Sequence, residues 1–392
     1  MKIGIPKETF PDERRVAAVP QTVAALRKLG YEVLLQQGTG SLAGWDDAHY
    51  AEQGAQLVAS RQEVFAQADV VLQVRSFGAN PNALNDLDLL RQGQTVVGFC
   101  EPLSEGATMK EVAARGVNLL AMELIPRTTR AQSMDALSSM ATVAGYKAVL
   151  LAAEAVNKMF PMLMTAAGTI RPARVFVVGA GVAGLRAIAT ARALGAVVEA
   201  YDVRPAVKEE VESLGARFLE LGLETQEAQT AGGYAKAFDE AFYAKQRELM
   251  AKALVENHVV ITTAAVPGKK APVLLTEPMV KDMQPGSVIV DLAAERGGNC
   301  ELTQPGKTIQ VHGVTIIGPV NLPSTIPMDA SLMYARNLAN LLTHLTRDGK
   351  LQLDREDDIV GGLLVCRDGE VVHPRVREAL DLPPREAPAE KE

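Results

Sequence analysis

The stretch from 173 to 204 constrains this chain more than any other: ARVFVVGAGVAGLRAIATARALGAVVEAYDVR. Its start, 174–178, is a short apolar run rich in β-branched residues, which predicts a buried strand. Gly179-Ala180-Gly181-Val182-Ala183-Gly184 follows at once, and a helical pattern then runs to Gly195. A second apolar run, 196–201, ends in Asp202. Strand, glycine turn, helix, strand and acid, in that order, form the context a dinucleotide fingerprint requires. Gly179 permits a tight turn, Gly181 lets the backbone approach a pyrophosphate, and Gly184 lets helix and strand pack closely. The helix start, through Val182 and Ala183, presents unpaired N–H groups to a diphosphate. The competing reading is a packing turn in an ordinary α/β domain.

Asp202 stands at the end of the second strand, where a carboxylate accepts hydrogen bonds from the adenosine ribose. It would repel the 2′-phosphate of NADP, so the residues favour NAD. Arg204 leaves an alternative open, because a nearby Arg welcomes that phosphate. It either does so, neutralises Asp202, or faces solvent.

With 392 residues the chain is long enough for two domains with sizeable cores. A net charge of -7 argues against a dedicated nucleic-acid binder. Cys100, Cys300 and Cys366 are far apart and show neither zinc nor redox spacing, so no metal site is expected and a reducing compartment fits best. The start, MKIGIPKETF, enters a strand pattern without a signal-peptide layout. Residues 136–170 are apolar, but Lys147, Glu154 and Lys158 interrupt them, so a buried helix is predicted there and not a membrane span.

Before the fingerprint, apolar runs at 2–5, 32–36, 69–74, 95–99 and 117–122 alternate with helical candidates at 22–29, 81–90 and 104–114. Ser104 is a candidate cap for the last. This rhythm predicts a parallel sheet covered on both faces. Two polar loops follow strands: 11–15, with Arg15, and 75–77, with Arg75. Each Arg is either an anion grip beyond a strand end or half of a solvated pair. A third loop, 126–140, reads PRTTRAQSMDALSSM and precedes a long helical pattern over 136–159. There Arg127 pairs with Asp135 across the loop in one reading, and Gln132 offers both a donor and an acceptor. The loop is either a junction lined for a cofactor or a hinge held by local bonds.

Beyond the fingerprint, 230–235 reads as a glycine-rich mobile loop with Tyr234 at its tip. Helices are predicted at 238–255 and 272–283, and strands at 258–263, 287–292 and 314–318. A second long helix lies within 321–345 and is expected to return to the first domain. The fold class is therefore α/β, with two Rossmann-like doubly wound parallel-sheet domains joined by long helices. The expected division is 1–135 plus about 326–380, then 136–325, then a flexible tail at 381–392.

Hydride transfer asks little of a protein beyond orientation and exclusion of water, since the cofactor carries the chemistry. A self-contained dehydrogenase also needs an acid/base, usually His. His49, His258, His312, His344 and His373 all lie outside the polar loops, and His258 reads as structural. The missing acid/base turns attention from a small substrate to a second nicotinamide as the hydride partner.

The segments IPRTTRAQSMDALSSMA, VGAGVAGLRAIATARALGAVVEAYDVRP, GGYAKAF, VVITTAAVPGKKAP, SVIVDLAAERGGNCE and NLPS together carry a resemblance. The chain resembles the NAD(H)-binding component, domain I, of the proton-translocating nicotinamide nucleotide transhydrogenases, a family related to alanine dehydrogenase. The resemblance covers residues 1 to about 345. It implies an NAD(P)⁺ transhydrogenase in which NAD(H) on this chain exchanges hydride directly with NADP(H) on a partner subunit. It implies a homodimer, an NADP(H)-binding beta subunit and a separate membrane subunit. Attachment would be peripheral, on the cytoplasmic side of the inner or plasma membrane and through the complex. It gives Arg127, Gln132, Asp135 and Ser138 to the nicotinamide and its ribose, with Gln132 reaching toward the NADP(H)-bearing partner. It adds Asp202, Val203, Arg204, Gly233, Tyr234, Gln246 and Ala265 to the fingerprint as cofactor-binding positions. In alanine dehydrogenases an anion-gripping Arg stands where Arg15 is, a substrate Lys near Arg75, and a catalytic His within 95–100, where this chain has none.

Overall fold

A computed structural model describes residues 1–222, 239–265, 268 and 270–384. The chain folds as two compact units, Met1–Met140 with Ser324–Glu392, and Ala141–Pro323. It passes from the first to the second inside the helix Ala136–Ala155. It returns just before the helix Pro327–Leu345.

The first unit is built on an eight-stranded sheet. Its central strand, Lys2–Ile5, is paired in parallel with Glu32–Gln36 on one side and Val70–Arg75 on the other. Gln56–Val58 continues the first side, and Thr95–Phe99 and Asn118–Ala121 the second, all parallel. The chain order across the sheet is thus third, second, first, fourth, fifth, sixth, and it reverses between Lys2–Ile5 and Val70–Arg75. These strands are almost wholly buried, as parallel strands covered by helices on both faces must be. Phe65, Phe77, Met109, Leu119 and Val365 belong to one core cluster of this unit. Each such side chain contributes about 1.5–3 kcal/mol by leaving water.

The second unit repeats the scheme. Arg174–Val178 is flanked in parallel by Val197–Tyr201 and Val259–Thr262. Arg217–Phe218 extends one side, and Val288–Asp291 then Val314–Ile317 the other. The order reverses between Arg174–Val178 and Val259–Thr262.

Five details differ from the sequence reading. Neither sheet is purely parallel, because Leu364–Arg367 and Glu370–Val371 close the first with antiparallel pairs and Thr308–Val311 closes the second. The helix expected at 272–283 shrinks to Glu277–Lys281, since Pro272 lacks an N–H and Pro278 suits only a first turn. Ser104 does not cap: the helix is Gly106–Ala114, and the Ser104 hydroxyl donates to the Glu101 carbonyl. A hairpin, Leu163–Thr165 with Gly168–Ile170, follows the long helix where none was expected. The long helix itself is long and apolar enough to cross a membrane by length and composition, and only 39% of that stretch is buried. A buried helix was expected there, and its burial is partial. The tail expected at 381–392 lies, from 385 onward, outside the described residues.

Candidate functional site

In open parallel sheets ligands sit beyond the carboxyl ends of the strands where the order reverses. In the second unit that point is the fingerprint. Each of its glycines has a separate physical reason. Gly179 takes φ +97°, a left-handed value that disfavours any side chain. Gly184 lies in the first turn of the helix Val182–Ala193, and a Cβ there would stand 1.8 Å from the Gly179 carbonyl oxygen. Helix and turn therefore touch through backbone. Gly181 has an ordinary φ of −76°, and among the described residues nothing lies within 4 Å of a Cβ built on it. The described chain gives no steric reason for glycine there; a backbone that must admit a ligand would be one. The helix begins without a side-chain cap, so the N-cap leaves its first N–H groups to other partners. Gly145, on the long helix, packs so closely that a Cβ would lie 2.1 Å from the Ala183 carbonyl oxygen.

Asp202 follows Val197–Tyr201 and is 8% exposed. Its Oδ2 accepts from the Ala180 backbone N–H at 2.7 Å, which ties it to the glycine turn. The Arg204 backbone N–H and Nε donate to Oδ1 at 2.8 and 2.9 Å, and Nη2 donates to Oδ2 at 2.8 Å. Of the three readings for Arg204, the structure takes neutralisation of Asp202. The hydrogen bond to Asp202 is the main reason the Arg204 pKa is raised. A carboxylate offers about four lone-pair sites, and these four donors occupy them. A ribose must therefore share or displace the guanidinium. Val203 lies between them, partly buried.

Of the other expected contacts, Gln246 sits in Glu240–Glu256, is 1% exposed, and has an Oε1 with no partner among the described residues. Ala265 is exposed just after Val259–Thr262. Gly233 and Tyr234 lie outside the described residues. The sequence reading missed Asp291 and Asn299, both fully buried beside the strand ends. The readable signal was an acid closing an apolar strand, with two glycines and an Asn soon after.

In the first unit, Arg127 and Gln132 are exposed and Asp135 and Ser138 partly buried. Asp135 is engaged with Ser138, three residues on. It stands before the long helix and accepts from the Ser138 N–H at 2.9 Å and the Ser138 hydroxyl at 2.5 Å. That is the geometry of a helix N-cap. The loop is held from Pro327–Leu345, whose Asn337 and Asn340 amides both donate to the Ser133 carbonyl, at 2.9 and 3.0 Å. Arg130 pairs with Asp357 and Asp358.

The first unit's own reversal point holds Glu8, Glu13, Arg15 and Arg75. Arg15 is 4% exposed, and its guanidinium donates to both oxygens of Glu13, at 2.8 and 2.6 Å. Arg75 lies 3.7 Å from Glu13 and 4.2 Å from the Phe10 ring centre. Glu8 accepts from the Val74 and Arg75 N–H groups, at 2.7 and 3.2 Å. Burial, then the charge of Glu13, pushes its pKa up to about 7. An anion grip needs a cation aimed outward, and Arg15 is engaged with a buried carboxylate. His258 behaves as read: its Nδ1 accepts from the Arg174 N–H at 3.0 Å, and burial lowers its pKa. Among the described residues no group of three or more His, Cys, Asp or Glu is placed to hold a metal.

Two family models cover nearly all of the chain. Residues 4–144 match the alanine dehydrogenase/PNT N-terminal domain, and 148–374 the C-terminal domain. The chain belongs to the alanine dehydrogenase/PNT family. It is 48% identical to an NAD(P) transhydrogenase subunit alpha chain of Rhodospirillum rubrum, over 95% of this chain and 98% of that one. It is 30% identical to an alanine dehydrogenase of Halomonas elongata, over 97% of both chains. Among solved structures, a transhydrogenase from Sinorhizobium meliloti aligns with TM-score 0.84 and 42% identity, covering 95% of this chain and all of that one. Within this family the chain stands with the transhydrogenase alpha subunits. The lack of His in 95–100 agrees with that side of the family.

Proposed function

We propose that this chain is the NAD(H)-binding subunit of a proton-translocating NAD(P)⁺ transhydrogenase. NAD(H) held here exchanges hydride directly with NADP(H) held by a beta subunit. The observation that carries the reading is the fingerprint turn with Asp202 tied to Ala180, in a chain this similar to a transhydrogenase alpha subunit. Gly179, Gly181, Val182, Ala183 and Gly184 would meet the diphosphate, and Asp202, Val203 and Arg204 the adenosine ribose. Gln246, Ala265, Gly233 and Tyr234 would complete the nucleotide site. Arg127, Gln132, Asp135 and Ser138 would serve the nicotinamide end. Asp135 and Ser138 are already bonded to each other, and Gln132 is exposed and free to face a partner nucleotide.

The chain's own residues bind and orient, and the two nicotinamides supply the chemistry. No acid/base is required, because a hydride moves from one ring to the other and no proton is left over. Supporting a homodimer are Met162 and Met164 near the 163–170 hairpin, 58% and 78% exposed, with Met159 at 51% and Ile170 at 40%. Clustered exposed apolar side chains of this size mark contact surfaces. Proton translocation, a separate membrane subunit and peripheral attachment at the cytoplasmic face belong to the proposed complex.

The test is reconstitution. The chain is mixed with an NADP-binding partner subunit, NAD⁺ and NADPH deuterated at the transferring position of C4. Deuterium arriving intact in NADH supports the reading, and deuterium lost to water contradicts it. Reduction of NAD⁺ by alanine without a partner would favour the amino-acid dehydrogenase alternative. In the same assay Gln132→Asn should slow transfer while NADH affinity stays within a few fold.

A further inference from the structure

A buried polar network lies beneath the second unit's reversal point, separate from the expected nucleotide contacts. Asp291 ends the strand Val288–Asp291 and is 0% exposed. Its Oδ1 accepts from the Thr262 hydroxyl at 2.9 Å and the Ala293 N–H at 3.0 Å. Its Oδ2 accepts from the Asn299 and Cys300 N–H groups at 2.8 and 3.1 Å, and the Thr303 hydroxyl at 2.7 Å. Asp291 thereby fixes the backbone of Asn299.

The Asn299 side chain, also 0% exposed, then acts on the neighbouring strand end. Its Oδ1 accepts from the Ala264 N–H at 3.0 Å. Its Nδ2 donates to the Ala264 carbonyl at 2.8 Å and to the Pro272 carbonyl at 2.9 Å. One amide thus satisfies both backbone groups of Ala264 and joins the two ends of the 264–272 segment. Ala264 follows Thr263, whose hydroxyl donates to the Gly179 carbonyl at 3.0 Å. A Cβ on Gly179 would lie 2.5 Å from that hydroxyl and 3.3 Å from the Ala264 nitrogen. The path Asp291, Asn299, Ala264, Thr263, Gly179 is continuous, buried at its origin and open at Gly181 and Ala265.

We propose that Asn299 is a positioning residue for the dinucleotide, holding Ala264 so that the Gly179 turn and the Ala265 edge are set before the cofactor arrives. The proposal rests on NAD(H) binding at the fingerprint. The side chain must be an amide, since the site needs one acceptor and two donors in a planar group. Aspartate supplies the acceptor but no donor until it is protonated, and then only one.

The experiment titrates NADH by fluorescence into the full-length chain and its Asn299→Ala and Asn299→Asp variants from pH 5 to 8. Each variant is first shown to be folded by its thermal transition. Asn299→Ala should bind NADH about tenfold more weakly at every pH. Asn299→Asp should be as weak at pH 8 and recover toward wild type as pH falls, since the protonated carboxyl regains a donor. Variants that melt earlier yet bind NADH like wild type when folded would overturn the proposal and leave Asn299 a stability residue. A wild-type chain that does not bind NADH would overturn the parent reading instead. If neither variant folds, amide exchange of the wild type decides. An Ala264 N–H protected without NADH supports a preset turn, and one that exchanges freely until NADH is added overturns it.

Discussion

Both sheets place their first strand between the second and the fourth, so both have a reversal point where a ligand is expected. What stands at those points differs. In the second unit the strand ends carry glycine and small residues, and the nearby acid is tied to the turn by a backbone amide. The helix that follows the turn has no side-chain cap. In the first unit the strand ends carry long charged side chains, and Arg15 and Glu13 satisfy each other within the core. The same topology thus offers one open site and one already filled by the chain. A strand order locates a site, and the side chains at the strand ends decide whether anything can enter.

That contrast breaks or sharpens under substitution. The largest effect is expected in the filled unit. Glu13→Gln leaves Arg15 without its buried counter-charge and should cost about 3–5 kcal/mol in urea unfolding, with NADH affinity within twofold of wild type. A matching loss of NADH affinity would mean the filled point serves the cofactor too. Next comes Gly184→Ala, whose new Cβ meets the Gly179 carbonyl oxygen at 1.8 Å. It should cost about 2–3 kcal/mol or more and abolish measurable NADH binding, because turn and helix cannot both keep their places.

The third effect is one of pH. The Glu8 pKa is raised to about 7 in the fold from an ordinary 4.5, so the folded state holds this proton more tightly than the unfolded chain. Its contribution to stability is full below pH 4.5 and is lost as pH rises through 7. The loss should be about 3 kcal/mol. Glu123, also raised to about 7 by burial and then by the charge of Glu101, adds a slope of the same sign. Glu8→Gln should flatten the profile measured by chemical unfolding at fixed temperature, and an unchanged slope would reject the assignment. The smallest structural effect belongs to Gly181→Ala. With an ordinary φ and open space around the new Cβ, stability should move by no more than about 0.5 kcal/mol. NADH affinity should still fall about tenfold if, as proposed, the backbone meets the diphosphate where the methyl would stand. Equal affinity would show that the open space is not the site.

Much of this was legible because the signals were local. Parallel strands buried on both faces read as apolar runs, and 95–99 and 174–178 coincide with strands Thr95–Phe99 and Arg174–Val178. Edge strands such as Gln56–Val58 and Arg217–Phe218 are too short and polar to stand out. The three glycines of the fingerprint were readable because each answers a backbone requirement. The direction of Arg204 was not, since a flexible side chain two residues from an acid has several partners in reach. The engagement of Arg15 also depends on burial, which spacing does not show. Asp291 and Asn299 escaped notice because their importance comes from backbone groups that only the folded chain gathers around them.

The central claim is that the second unit takes NAD(H) while the first takes no small substrate, and equilibrium titration tests this directly. NADH and NADPH are titrated separately into the purified chain, each with and without excess alanine or pyruvate. Clearly tighter binding of NADH than of NADPH is predicted, with no change on adding either small molecule. Equal affinities for the two nucleotides, or an NADH affinity that shifts with alanine or pyruvate, would contradict it.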